Sequence, residues 1–174
     1  LIRYNKALQQ RNALLKIDGP IDETLLDLWD EQFNDEGVVI YQKRKAFIDK
    51  FIPTFQKFYD FICSSNEKVE LKYESHFENG NFLESLKQKR ERDKILGYTS
   101  SGVHKEYLDM QMDNYSIKRV GSQGQNKTYV VALKLAQFDF LRQATSTTPI
   151  LLLDDIFDKL DSSRVEQIMK LVLE

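Results

Sequence analysis

The sequence contains one cysteine, Cys63, which excludes an internal disulfide and a cysteine cluster for zinc. No apolar run approaches the roughly 18 residues that a membrane span needs, and no signal peptide is recognisable. Basic and acidic residues nearly balance, with a net charge of −2, so no global positive field attracts nucleic acid. These absences predict a globular cytoplasmic protein without membrane contact, in which nucleic-acid binding depends on a local patch.

The first part of the chain has the apolar spacing of amphipathic helices. It predicts one helix over residues 1–17 and a second that begins after Asp22 as N-cap. We expect Gly37 to interrupt this second helix. A third helix is predicted over residues 38–62, with a kink or a restart at Pro53.

The apolar period changes from residue 66 onward, where short strands and helices are both indicated. The predicted elements are a strand over 69–73, a turn at 79–81, a charged helix over 82–96, two strands around Asp113–Asn114, a helix that ends near Arg142, and a last helix capped by Asp161 or Ser162.

The stretch ILLLDD, residues 150–155, is an apolar run that ends in two acids. It predicts a strand buried on both faces, with both carboxylates at the sheet edge where open α/β folds bind ligands. Asp154 would hold Mg²⁺, which favours carboxylate oxygens, and Asp155 would polarise a water for attack on a phosphoryl group. This is the Walker B pattern of P-loop ATPases. The competing interpretation is a polar turn in which an aspartate caps a helix.

The stretch GSQGQ, residues 121–125, places two glycines and a serine before an apolar helix. The free N–H groups and the dipole of a helix N-terminus form an anion site. Taken alone, however, the stretch favours a loop in which Ser122 caps the helix.

The order of these stretches favours a nucleotide-related function. Signature loop, helix, Walker B strand and D-loop, here KLD with Asp161, follow one another in the C-terminal half of ABC-type ATPase heads. In such heads the signature serine contacts the γ-phosphate held by the other subunit. A Gly-x-x-x-x-Gly-Lys-Ser/Thr loop is absent from the sequence, as is a histidine after the Walker B stretch, and the first residue is leucine. We therefore expect part of a longer protein and not a complete ATPase.

Four segments in order resemble the RecF family of bacterial recombination-mediator ATPases. YNKALQQRNALLK carries its Arg-Asn-x-Leu-Leu run at residues 11–15. RERDKILGYTSSGVHKEYL resembles its Arg-x-x-Asp, Tyr-Thr and Gly-Pro-His-Lys/Arg runs, with Val103 in place of proline and Tyr107 where an acid is frequent. GSQGQNKT and PILLLDDIFDKLD resemble its signature, Walker B and D-loop. The resemblance extends nearly from end to end, without the family's N-terminal Walker A lobe.

The resemblance implies an α/β P-loop NTPase fold, namely the C-terminal part of an ABC/SMC-like ATPase head with an α-helical second lobe. Residues 1–65 would be the helical lobe, and residues 66–174 would be the rest of that lobe and the head part. The implied function is that of an ATP-dependent, DNA-binding ATPase of recombinational repair, whose heads form a homodimer around ATP and Mg²⁺. The implied targets are double-stranded DNA, gaps and single-strand/double-strand junctions, with RecO and RecR as partners.

The resemblance also assigns roles to individual residues. It makes Asp154 the Mg²⁺ ligand and Asp155 the catalytic acidic residue. The residues assigned to the nucleotide and its dimer seam are Ser122, Gln123, Gly124, Gln125 and Asp161. Within this set Ser122 would contact the γ-phosphate in trans, and Asp161 would lie at the seam.

A run of positive charge is a candidate for DNA contact. Its members are Lys87, Lys89, Arg90, Arg92 and Lys94. Such a run is most often a solvated helix face; as a DNA track it would contact phosphates without reading sequence. Lys43–Arg44–Lys45 is similar. We expect His104 to order its loop and Cys63 to be a small buried side chain.

Two other functions stay open. A different SMC-like ATPase would carry a long coiled coil, whereas the first 65 residues show no heptads sustained over three or four repeats. The alternative of another class is a non-catalytic module, a degenerate head that only docks to DNA or protein. The two intact acids after the apolar run argue against it.

Overall fold

The computed structural model describes residues 1–63, 67–145 and 148–173. These ranges are mainly helical, with one three-stranded sheet of order β1–β2–β3. The elements are α1 (Ile2–Leu15), α2 (Glu23–Cys63), β1 (Val69–Glu74), α3 (Phe82–Gln88), α4 (Arg90–Leu96), a 3-10 turn (Val103–Lys105), β2 (Tyr107–Met112), β3 (Tyr115–Ser116), α5 (Ile117–Val120), α6 (Gln123–Ala144) and α7 (Ser162–Leu173). Within the described ranges no helix has the length and apolarity to cross a bilayer.

The chain forms two compact units. Unit 1 contains residues 1–46 and 73–107, and unit 2 contains residues 47–72 and 108–174. Helix α2 supplies its first part to unit 1 and its last part to unit 2. The predicted lobe boundary after residue 65 concerns the organisation of a whole ATPase and stays a prediction.

Unit 1 has an aromatic core. Its fully buried members come from α1, α2, α3 and the loops around them: Tyr4, Ala7, Phe33, Phe77, Phe82, Leu86 and Val103. Tyr4 stacks on Phe33 with ring centroids 4.6 Å apart, and Phe77 stacks on Phe82 at 3.9 Å. Aromatic pairs of this kind contribute about 0.5–1.5 kcal/mol beyond the area they bury.

A buried arginine joins the helices of unit 1 beside this core. The Arg11 side chain is inaccessible to solvent, and its Nε donates to Asp30 Oδ1 at 2.6 Å. Its Nη1 donates to Asp93 Oδ2 at 2.8 Å and to Thr99 Oγ1 at 2.7 Å. These bonds connect α1 with α2, α4 and the loop that follows α4. Removing one partner of such a buried pair typically costs about 3–5 kcal/mol, because the other charge is left buried and uncompensated.

Unit 2 buries apolar faces of α2, β1, α6 and α7. Phe55 lies 4.7 Å from Tyr129 between ring centroids, and Ile168 is fully buried in the same cluster. The predicted strand pair around Asp113–Asn114 is confirmed, with Met112 opposite Tyr115. Both turn residues have positive φ angles, 49° and 67°, as a two-residue type I′ hairpin requires.

Several further expectations are confirmed by local hydrogen bonds. Leu25 N donates to Asp22 Oδ1 at 3.0 Å, and Arg164 N donates to Asp161 Oδ1 at 3.0 Å, so both aspartates cap helices. The charged helix over 82–96 is instead divided into α3 and α4 at Lys89.

The predicted interruption at Gly37 is wrong, because α2 runs without a break for 41 residues and passes through Pro53 without a restart. Gly37 has a packing reason instead. A Cβ atom at this position would lie 2.4 Å from Phe77 Cζ. The glycine therefore lets the Phe77 ring lie against the helix backbone.

The predicted buried strand over residues 150–155 is also wrong. The described segment 148–154 has no strand structure, and none of the three strands pairs with it. Ile150 and Leu152 are 87% and 86% exposed, whereas Leu151 and Leu153 pack against the core of unit 2. One face of the run is thus partly buried and the other is exposed to solvent. Within the described ranges no strand lies beside the run to pair with it.

We predict that Gly37→Ala destabilises the chain by about 1–2 kcal/mol, because the overlap with the tightly stacked Phe77 ring outweighs the higher helix propensity of alanine. Urea unfolding measures the change. In a Phe77→Ala background the overlap is gone, so the same substitution should stabilise by roughly 0.5–1 kcal/mol. An equal effect in both backgrounds would contradict the packing explanation.

Candidate functional site

The GSQGQ stretch forms the N-terminus of α6, with Ser122 as its cap. Gln125 N donates to Ser122 Oγ at 3.2 Å, and Ser122 N donates to Gln125 Oε1 at 2.8 Å, which completes a capping box. Ser122 is exposed, and its oxygen acts as acceptor in this bond. Its hydroxyl hydrogen is therefore not used in the capping bond and can point toward a ligand.

The two glycines of this stretch permit close contacts within unit 2. A Cβ at Gly121 would lie 2.7 Å from the carbonyl oxygen of Ile117. A Cβ at Gly124 would lie 3.0 Å from the carbonyl oxygen of Lys159 and 3.4 Å from Arg164 Nη1. The absence of a side chain at Gly124 thus lets the first turn of α6 approach the turn before α7.

The acid pair lies in an exposed turn. Asp154 and Asp155 are both exposed, and Asp155 has a φ angle of 49°, in the left-handed region. The carbonyl oxygen of Asp155 accepts a hydrogen bond from Lys127 Nζ of α6. The acid pair is therefore tethered to the helix that begins at Ser122.

An open cleft of about 710 Å³ unites parts of the two stretches. Its lining includes Gln123, Lys127, Lys134, Leu152, Asp154 and Lys159. Much of the remaining lining is apolar, with Val130, Val131, Leu153 and Ile156, so an anionic ligand would be met by the three lysines and a divalent cation by Asp154. The described residues contain no cluster of three or more His, Cys, Asp or Glu that could hold a metal by itself.

Asp161 lies in the turn before α7. Its Oδ1 accepts the cap bond from Arg164 N. Its Oδ2 lies 3.4 Å from Nε of the Arg164 side chain. The hydrogen bond from Arg164 N and the charge of that guanidinium hold the pKa of Asp161 below its usual value. Asp161 is therefore an exposed carboxylate at neutral pH.

Glu67, just before β1, joins the turns at Ser122 and Asp161. Its Oε1 accepts from Gln125 Nε2 at 3.1 Å and from Arg164 Nη2 at 2.9 Å. Its Oε2 accepts from Tyr59 OH at 2.7 Å and from Cys63 Sγ at 3.4 Å. No pattern in the sequence marked Glu67 or Arg164 as functional, since an isolated acid beside a strand has no periodicity and belongs to no motif.

The electrostatics of Glu67 favour its charged form. Partial burial works to raise the pKa of Glu67, but hydrogen bonds from Tyr59, Gln125 and Cys63 and the charge of Arg164 bring it below the usual value. Glu67 is thus a carboxylate that faces four donors.

The basic run predicted to contact DNA lies in unit 1, where carboxylates compensate much of its charge. Arg90 donates to Asp30 Oδ2 at 2.7 Å and also pairs with Asp27 and Glu23. Three lysines of the run also bond to side chains within unit 1. Lys87 pairs with Asp27, and Lys89 donates to Ser101. Lys94 pairs with Glu23 and Glu91. Arg92 is exposed, and the described residues include no ion pair to it. Their DNA role stays a prediction.

Arg44 in the Lys43–Arg44–Lys45 cluster is directed into unit 1. Its Nη1 donates to the carbonyl oxygen of Val103 at 2.6 Å and lies 3.7 Å from Glu106 Oε2. This guanidinium therefore supports the 3-10 turn at Val103–Lys105.

His104 orders its loop, as predicted. Tyr4 OH donates to His104 Nδ1 at 2.9 Å, and His104 Nε2 donates to the carbonyl oxygen of Thr99 at 3.2 Å. Burial lowers the pKa of His104, so the neutral tautomer with a hydrogen on Nε2 satisfies both bonds. The loop that contains Val103 is thus held by side-chain hydrogen bonds.

No family model matches the sequence, but individual relatives match over its whole length. The chain is 61% identical over 172 residues to the DNA replication and repair protein RecF of Bacteroides fragilis (strain YCH46), covering 99% of the chain and 46% of that protein. It is 57% identical over 174 residues to the RecF protein of Parabacteroides distasonis, covering 100% of the chain and 47% of that protein. The chain thus spans about half the length of these curated relatives.

Two solved structures share the fold. One is the recombination mediator protein RecF-ATP in the RecFOR pathway, with a TM-score of 0.81, 33% identity, and coverage of 97% of this chain and 48% of that one. The other is RecF-ATPrS, also with a TM-score of 0.81, at 32% identity, with coverage of 98% and 49%. These matches confirm the predicted fold class, part of an ABC/SMC-like ATPase head with a helical lobe.

The burial of Cys63 beside Glu67 can be tested through the pH dependence of its alkylation. Burial, with the nearby Glu67 charge, raises the pKa of Cys63 to about 11. At pH 8.5 we predict that iodoacetamide alkylates the native chain roughly a hundredfold more slowly than the urea-unfolded chain, because the thiolate is the nucleophile. The native rate should rise with pH to a midpoint near 11. A native midpoint near the free-cysteine value would contradict the buried position of Cys63 beside Glu67.

Proposed function

We propose that this chain, which belongs to the RecF family, contributes the signature, Walker B and D-loop part of an ATPase head that dimerises around ATP on DNA. The observation that carries the proposal is the shared cleft of unit 2, where Gln123 of the signature stretch and Asp154 of the acid pair line one cavity beside three lysines. The RecF-ATP structure, which shares this fold, supports a nucleotide as the ligand.

In the proposed head the Ser122 turn receives the γ-phosphate that the partner head presents. The N–H groups and dipole of the first turn of α6 favour an anion, and the exposed hydroxyl of Ser122 donates its free hydrogen. The capping box holds this hydroxyl in place before ATP arrives, so little ordering is required on dimerisation.

The acid pair fits a magnesium ion that is shared with a nucleotide. Mg²⁺ is usually bound by one or two carboxylates together with waters and phosphate oxygens, and Asp154 and Asp155 present exposed carboxylates. Asp154 is the proposed ligand, where the ion would neutralise phosphate charge. Asp155 is proposed to orient and polarise the attacking water, while Lys127 holds its carbonyl group.

The proposed biological role is recombinational DNA repair at gaps and single-strand/double-strand junctions, with RecO and RecR as partners and a homodimer as the ATP-bound form. The RecF names of the relatives and the RecFOR pathway of the matched structures support this role. Arg92 is our first candidate for DNA contact within the basic run, because it is exposed and its charge is not compensated by an ion pair within the described ranges.

The Asp155 role is tested in a family-length protein that carries this sequence. We predict that Asp155→Asn abolishes ATP turnover while ATP binding is kept, since asparagine tolerates the left-handed backbone but cannot act as a base. Glu166→Gln, an exposed acid on α7, is the matched control and should keep turnover. Unchanged turnover in Asp155→Asn would refute the Walker B assignment and favour a non-catalytic module.

The Ser122 role is tested by blocking the turn. We predict that Ser122→Arg prevents the ATP-dependent dimer, measured by light scattering, while the monomer still binds ATP. Ser122→Ala is the control for folding, because it removes the cap, at a cost of about 1 kcal/mol, without adding bulk or charge. Dimerisation of the Ser122→Arg protein with ATP would show that this turn is not at the seam.

A further inference from the structure

A continuous path of side-chain bonds connects the two turns that are proposed to meet a partner head. It runs from Ser122 N to Gln125 Oε1 at 2.8 Å, and from Gln125 Nε2 to Glu67 Oε1 at 3.1 Å. It continues from Glu67 Oε1 to Arg164 Nη2 at 2.9 Å and from Arg164 Nε to Asp161 Oδ2 at 3.4 Å. Glu67 stands at the centre of this path.

The path is sheltered at its centre and exposed at its ends. The side chains of Glu67 and Arg164 are 20% and 15% exposed, whereas the Asp161 side chain is 57% exposed. Charge-assisted bonds between partly buried groups are less screened by solvent than surface ion pairs. The arrangement therefore holds its centre firmly and presents its two ends to solvent.

The carboxylate suits this position because all four groups that face it donate hydrogen bonds to it. Gln125 and Arg164 donate to one oxygen, and Tyr59 and Cys63 donate to the other. A glutamine would present an amide N–H₂ to one of these pairs. Facing Tyr59 and Cys63, this amide would make both groups accept a hydrogen bond that they now donate, and the negative charge that pairs with Arg164 would be lost.

We propose that Glu67 is a positioning residue that locks the Ser122 turn and the Asp161 turn together, so that they meet the partner head as one preformed surface. Glu67 acts through Gln125 and Arg164, the side chains that connect it to the two turns. The locking of the turns stands on the contacts of unit 2 alone, whereas its consequence for dimerisation rests on the proposed function.

The locking is tested by hydrogen exchange on this chain. The amide of Gln125 bonds to Ser122 Oγ and the amide of Arg164 bonds to Asp161 Oδ1, so each reports on one turn. In Glu67→Gln we expect both amides to exchange about fivefold faster or more. The control Glu70→Gln, a half-exposed acid paired with Lys72, should change neither. If one amide or neither of them accelerates in Glu67→Gln, the turns are not locked by Glu67.

A second variant keeps the test decisive if Glu67→Gln fails to fold. Arg164→Lys keeps the positive charge, but a lysine has one nitrogen and cannot bridge Glu67 and Asp161 as the guanidinium does. Coupling through Glu67 predicts faster exchange at Gln125 as well, although the partners of Gln125 itself are unchanged. Unchanged exchange at Gln125 in this variant would overturn the proposal.

The consequence for dimerisation is measured in a family-length protein that carries this sequence. We expect Glu67→Gln to weaken the ATP-dependent dimer about tenfold without changing ATP affinity of the monomer, and this effect should shrink below about twofold in a Ser122→Ala background. Equal effects in both backgrounds would mean a purely structural role and overturn the positioning proposal. If the wild-type protein fails to dimerise with ATP, the proposed function fails, and the exchange data still decide on Glu67.

Discussion

The Glu67 carboxylate accepts hydrogen bonds from side chains of α2, α6 and α7, so one partly buried negative charge joins three helices of unit 2. Unit 1 has a counterpart of opposite sign, the fully buried guanidinium of Arg11, which bonds to Asp30, Asp93 and Thr99. Each unit thus combines an apolar core with a polar centre that joins several of its elements. Such centres are costly to break, because the remaining partners would lose charge-assisted bonds that solvent only partly replaces.

The turn at Ser122 has an observed role in the fold and a proposed role as a phosphate contact. Its glycines and capping box are needed for the fold, since they let α6 begin against the carbonyl of Lys159. The same features leave an exposed hydroxyl hydrogen and a helix N-terminus on the surface, which is what a phosphate from a partner requires. The geometry of a simple helix cap is therefore also compatible with the proposed nucleotide contact.

Local features were predicted well and longer-range features were not. The caps at Asp22, Asp161 and Ser122 and the hairpin at Asp113–Asn114 depend on atoms within a few residues, so the sequence alone revealed them. The break expected at Gly37 failed because the position of the Phe77 ring, 40 residues later, decides why glycine stands there. The strand expected over residues 150–155 failed because a strand exists only where another strand supplies its hydrogen bonds.

By itself, the sequence carried the resemblance to the RecF family, through four segments in order, and the identity of the residues proposed to contact ATP and Mg²⁺. The tertiary structure alone decided how those residues are held. Glu67 meets Gln125 across 58 residues and Arg164 across 97, and Arg11 meets Thr99 across 88. Such bonds leave no periodic or local trace in a sequence, because their partners are chosen by the packing of whole helices. The same packing determines which charges of the basic run are compensated and which, like Arg92, stay available at the surface.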